Sequence, residues 1–323
     1  MPFRRFLFLV SLICWSPTAS QAVEGPTAAG PIGGTDVRSG MLPPPGVYFG
    51  TVQLYARTID FKDRNGDTVP GLEDAQLEKG VGGPFLYYVP ETKVFGGTVA
   101  IAGIVPAGVI CGHLFAGTSD DCDSGVGDPY VEVAWSRYFG TPRPSLYPGA
   151  YPVLEGLSVL VGFGTVIPVG RFDGSDPLRQ ALSPGTNIWD FAPTAAFTYT
   201  TAPVVAEGTE FSAKIYWNNY LENPETDYFT GDLFNVDFAV TEHIGRWQVG
   251  VAGFYAWQVA DDKISGVPIP PDGRQGKAFQ IGGVVAYDMP EHGSSVKLKA
   301  IASPYAENTV TSWNAVLSWI KKY

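Results

Sequence analysis

Residues 208–220 read Gly-Thr-Glu-Phe-Ser-Ala-Lys-Ile-Tyr-Trp-Asn-Asn-Tyr. One parity carries Phe211, Ala213, Ile215 and Trp217; the other carries Glu210, Ser212, Lys214, Tyr216 and Asn218. Successive side chains of a strand point to opposite faces, so the segment predicts a strand with one greasy and one wet face. The pattern recurs along the chain. Val131, Val133 and Trp135 oppose Tyr130, Glu132 and Ser136, and Phe234, Val236 and Phe238 oppose Asn235 and Asp237. Trp247, Val249, Val251, Tyr255 and Trp257 oppose Gln248, Ala252 and Gln258. Read this way, strands are expected at 47–57, 81–89, 94–105, 128–139, 157–169, 189–200, 209–220, 233–242, 247–259, 278–287, 295–303 and 309–319.

A greasy face can point into a soluble core or out at lipid, and periodicity alone does not separate the two. The connections do better. Short turns at 90–93, 202–207, 243–246 and 290–293 alternate with longer polar connections at 58–80, 106–127, 170–188, 221–232 and 260–277. That alternation is expected of a closed antiparallel transmembrane β-barrel with short periplasmic turns and longer external loops. Two connections strain the scheme: 140–156 is long on the short side, and 304–308 is short on the long side. Trp247 and Trp257 lie at girdle spacing for the two membrane interfaces.

Composition agrees. Charged residues make up only 16% and aromatics 13%, with 39 glycines. The net charge of −11 argues against nucleic acid or anionic phospholipid as the main partner. The longest apolar stretch, 96–110, is broken by glycines and Pro106 and is too short for a spanning helix. Residues 1–22 read as a secretory signal, with Arg4 and Arg5, an apolar run to Trp15, and small residues before a cleavage after Ala22. Ile13 before Cys14 breaks a lipidation motif. Residues 23–45 are an irregular Gly- and Pro-rich segment, expected to fold into the lumen of the barrel formed by 46–323 and narrow it. The C-terminal strand, ending in Trp319 and Tyr323, suits recognition by the outer-membrane assembly machinery.

Chemistry is sparse. Cys111 and Cys122 bracket a short polar loop, which in an exported chain suggests a disulfide. A metal site with His113, Asp120 or Asp121 is the rival. Residues 60–67 loosely resemble a calcium loop but lack its ligand spacing. The three histidines form no visible pair with a serine, so no enzyme and no cofactor are expected. The wet parity, with Arg38 from the N-terminal segment, supplies the lumen-lining candidates: Arg38, Tyr130, Glu132, Glu210, Lys214, Tyr216, Asn218, Asp237 and Gln258. Glu210 and Lys214 are a candidate pair bridging across the wall.

Several stretches carry a family resemblance in order: the run 33–48, Gly125-Val-Gly-Asp128, Asn187-Ile-Trp-Asp-Phe-Ala-Pro193, Asn218-Asn-Tyr-Leu-Glu-Asn-Pro-Glu-Thr-Asp-Tyr228 and Gly250-Val-Ala-Gly-Phe-Tyr-Ala-Trp-Gln258. The chain resembles the outer-membrane "meta-pathway of phenol degradation" family. The resemblance implies a barrel in the outer membrane of a Gram-negative bacterium that moves small hydrophobic or aromatic solutes. The sequence reading is therefore an outer-membrane channel working by passive diffusion. A structural or adhesive barrel is the alternative, and a secreted all-β binding protein the remote one.

Overall fold

The computed structural model describes Gly30 and residues 32–323. The expected signal segment, Cys14 and most of residues 23–31 lie outside the described residues. The described chain forms a closed antiparallel barrel of twelve strands. They are β1 (Gly46–Phe61), β2 (Gln76–Val89), β3 (Gly97–Ile104 and Ala107–His113), β4 (Asp121–Val126 and Tyr130–Arg143), β5 (Val153–Val166) and β6 (Asp190–Thr200). The second half comprises β7 (Thr209–Tyr220), β8 (Leu233–Ile244), β9 (Trp247–Gln258), β10 (Lys277–Met289), β11 (Ser294–Glu307) and β12 (Val310–Lys322). Each pairs with its neighbours in sequence, and β12 closes on β1 from Tyr48 opposite Lys322 to Phe61 opposite Val310. Closure pairs the wall strands on both sides, as a sheet in hydrocarbon requires; the outer stretch of β4, Asp121–Val126, pairs on one side, with β3.

Side-chain direction follows the alternation. Along β7, Phe211, Ile215 and Trp217 are exposed on the outside, while Glu210, Ser212, Lys214, Tyr216 and Asn218 are buried inside. Two belts of aromatic rings circle the outer wall. Near the long-loop end, Trp189 stacks on Phe191, and Phe234 stacks between Trp217 and Trp257 with ring centroids 5.5 and 5.6 Å away. Near the short-turn end, Trp247 meets Tyr287 and Phe49 meets Trp319. Trp257 and Trp247 thus sit in opposite belts. Ten residues of tilted strand separate them, which matches an apolar band of about 25 Å.

Strand limits differ from the sequence expectation mainly between residues 76 and 143. The connection expected at 106–127 is mostly ladder: β3 runs on past Pro106 to His113, and β4 begins at Asp121. The proline blurs the pattern because it has no N–H to donate, and it interrupts the strand without ending it. Gly127 N–H bridges the break by donating to the Pro106 carbonyl at 2.8 Å. β4 likewise extends to Arg143 and β5 starts at Val153, so the long periplasmic connection shrinks. The short external turn after β11 is accommodated by Asn308 at φ 50°, in the left-handed region that asparagine tolerates.

A short helix, α1 (Pro177–Leu182), lies in the connection expected to be irregular. Asp176 caps it by accepting from Arg179 N–H, and Pro177 occupies the first helical position, a start signal present in the sequence. Leu182 packs with Leu77, Ile110 and Leu114 in a small core around the β2–β3 extension. Cys111 and Cys122 stand directly opposite each other on β3 and β4 in that extension and are disulfide-bonded. His113 Nδ1 and Asp120 Oδ1 are 2.6 Å apart beside the bridge, so the metal alternative gives way to a disulfide and an ion pair. Intact-mass measurement of the unreduced, folded protein should find two hydrogens fewer than after reduction; two thiols open to alkylation would contradict the bond.

At the opposite end, Glu207 ties three connections together. Its carboxylate accepts from Leu146 N–H and Gly245 N–H, both at 2.6 Å, and its carbonyl accepts from the Arg143 guanidinium. Burial pushes the Glu207 carboxyl up, but the Leu146 N–H, the Ser145 hydroxyl, the Gly245 N–H and Arg143 outweigh it and hold the pKa below the usual range. The sign follows: this stabilisation is present above the unfolded carboxylate value and is lost as pH falls through the lowered folded value. Glu207→Ala leaves two partly buried donors, Leu146 N–H and Gly245 N–H, without their acceptor and should cost about 1 kcal/mol in urea unfolding at neutral pH. The difference from wild type should shrink in acid. An equal loss at every pH would rule out the carboxylate as its source.

Candidate channel lumen

The described part of the N-terminal segment runs down the inside of the barrel. Gly30 lies near Asp190 and Asn218 in the long-loop half, and the chain leaves through Pro44 and Pro45 into β1 at the short-turn end. Its polar groups are matched one by one to the wall. Gly33 N–H and Thr35 N–H donate to the Asp237 carboxylate at 2.8 and 3.0 Å. Arg38 N–H donates to Glu210 Oε1 at 2.9 Å, and the Arg38 guanidinium makes a two-pronged pair with Asp288. Ser39 meets Ser212, and Gly40 donates to Thr198 while accepting from Ser136. Gly40 lies so close to the wall that a Cβ there would stand 2.6 Å from Thr198 N and 2.8 Å from Ser158 O. No other residue fits without displacing the segment.

The centre of this arrangement is Asp36, which is fully covered and ion-paired with both Lys297 and Lys299. Lys299 is itself 1% exposed and also donates to the Gly33 carbonyl. Buried Lys299, partly buried Lys297 and an acid from far away in the sequence hold the segment against β11. Apolar contacts complete the seat: Val37 packs on Ala239, Ala252 and Val284, and Leu42 on Tyr48 and Val89.

Of the lumen-lining candidates, Glu132, Glu210, Lys214, Tyr216, Asn218 and Asp237 are buried on the inner wall, and Tyr130 and Gln258 are partly buried. Most are covered by each other or by the N-terminal segment. Glu210 does not pair with Lys214. Lys214 pairs with Glu132 on β4 at 2.6 and 2.8 Å, and Glu210 faces Arg38 N–H and His243 Nε2. The reason is register: residues four apart on one strand lie too far apart along the wall, while other strands and the inserted segment bring partners across the lumen. His243, expected in a turn, lies on β8.

The long-loop half of the lumen holds a cavity of about 350 Å³. Ile32, Leu54, Leu77, Leu233 and Phe254 give it an apolar wall. Lys79, Lys62, Arg274 and Lys277 contribute cations against a single acid, Asp262. Burial raises the Asp262 carboxyl, an effect only partly offset by the Gly231 N–H, the Tyr228 hydroxyl and the Gln258 amide. Lys79 and the segment's ion pairs had no clear sequence signal. In β2 the inward residues Leu77, Lys79 and Val81 mix apolar with charged, so parity there does not reveal a wet face.

A closed barrel with an apolar, aromatic-belted exterior and a polar interior is an outer-membrane β-barrel of Gram-negative type. The family model described as "Putative MetA-pathway of phenol degradation" matches residues 58–319, and the chain belongs to that family. The fold is similar to the crystal structure of the COG4313 outer membrane channel from Pseudomonas putida F1, with a TM-score of 0.67 at 14% identity. That match covers 87% of this chain and 97% of the other. The toluene transporter TodX of Pseudomonas putida is matched with a TM-score of 0.42 at 10% identity, covering 90% of this chain and 92% of that one. No curated protein sequence matches the chain.

Proposed function

We propose that the protein is a channel for passive diffusion of small hydrophobic or aromatic compounds across the outer membrane. The observation that carries this reading is the cavity of about 350 Å³ inside the lumen, whose wall is largely apolar between a few charged groups. A dry 150 Å³ apolar cavity takes up benzene, so this space accepts a substituted ring. Family membership and the name of the channel with the similar fold support the same reading. Ring-sized solutes enter from the long-loop side, rest in the cavity, and pass the N-terminal segment, which sets the narrowest point. Nothing in this route calls for bond making or breaking.

The filled periplasmic half of the lumen favours a second reading, a structural barrel that stays shut. Uptake separates the two. In de-energised cells, the complemented strain should accumulate toluene or phenol faster than the deletion strain. Equal initial rates across a panel of aromatics would leave the structural reading standing.

A further inference from the structure

The lysines that face the interior or the cavity mouth have acidic partners, with one exception. Lys214 pairs with Glu132, Lys297 and Lys299 with Asp36, Lys62 with Asp60, and Lys277 with Glu307. Lys79 has no hydrogen bond or ion pair among the described residues, although it is only 8% exposed. It projects from β2 between Leu77 and Val81, opposite Ala56 on β1 and Ile110 on β3. A buried ammonium without a counter-charge is costly, and this protein avoids that cost at its other lysines by pairing them. Lys79 also lines the cavity whose remaining wall is largely apolar and whose charged groups are mostly cations. A cavity with one desolvated cation and a greasy wall is complementary to a molecule with one anionic end and an apolar body.

We propose that this cavity is a binding site for aromatic monocarboxylates. The carboxylate takes the Lys79 ammonium as its partner, and the ring lies against the wall formed by Leu54, Leu77 and Phe254. The proposal deepens the channel reading by naming the charge type of the solute. It also separates solutes: a neutral ring fits the same wall but leaves Lys79 unpaired, so the anion is held longer.

Ligand-observed NMR titration of the refolded full-length protein tests this, with benzoate and its neutral relative benzyl alcohol as probes. Wild type should bind benzoate more tightly than benzyl alcohol. Lys79→Met, which keeps the length and removes the charge, should weaken benzoate binding on the order of tenfold or more and leave benzyl alcohol nearly unchanged. Lys79→Arg should retain most of the benzoate affinity. Unchanged benzoate binding in Lys79→Met, or benzyl alcohol binding wild type as tightly as benzoate, would overturn the proposal. Should Lys79→Met fail to refold, the wild-type comparison of the two probes decides alone. Benzoate binding that depends on Lys79, found together with equal aromatic uptake by deletion and complemented cells, would uphold the site while removing the channel reading.

Discussion

Deleting residues 33–39 should raise single-channel conductance several-fold while leaving the barrel folded. These residues contribute no strand, so the wall and its belts do not depend on them. They do occupy the lumen, through contacts to Asp237, Glu210, Ser212 and the lysines of β11. Asp36→Ala should act in the same direction with a single substitution. It removes the acid shared by buried Lys299 and partly buried Lys297, and breaking a buried pair costs about 3–5 kcal/mol because the buried charge left behind is uncompensated. Part of that cost falls on the docked segment, which should open more often and show as longer or larger current steps. A matched control is Val37→Ala, which removes apolar contact only and should change gating far less. Unchanged conductance in a folded deletant would mean that current already passes beside the segment.

The second large effect concerns the two faces of the wall. Phe211 is 42% exposed on the outside of β7, and its neighbour Glu210 is 0% exposed within. Phe211→Lys places a cation at the lipid face and should cost about 2–4 kcal/mol near the bilayer middle, less toward an interface. Glu210→Gln keeps an acceptor for Arg38 N–H and an amide beside His243, so assembly should survive. Heat-modifiable gel mobility after refolding reads both. A Phe211→Lys variant that assembles normally, paired with a Glu210→Gln variant that does not, would mean that the faces are reversed.

How much of this was legible in the sequence depends on what each feature owes to neighbours along the chain. Strand alternation is a local signal, and β7, β8 and β9 are readable residue by residue because each has one apolar and one polar parity. The disulfide was readable from spacing and export. Pro106 hid the continuity of β3, since a proline reads as an ending unless the partner strand is known. β2 was faint because its inner face meets the apolar core at Leu77 and Ile110 as well as the cavity, so both parities carry apolar residues. The pairing inside the lumen was not readable at all. Asp36 and Lys299 lie 263 residues apart, and only closure of the barrel brings them together. The same holds for Lys214 with Glu132, which parity places on one face without saying which acid each cation meets. Lys79 stands out only by contrast with the partners that the other interior lysines acquire in three dimensions.

The central claim is passage of small aromatic solutes through the lumen without an energy source. Its most direct test is the initial rate of radiolabelled toluene uptake in de-energised cells lacking the protein, complemented with wild type, or complemented with the 33–39 deletant. The lowest rate is expected without the protein, a higher rate with wild type and the highest with the deletant. Identical rates in all three, with both proteins assembled in the outer membrane, would contradict it.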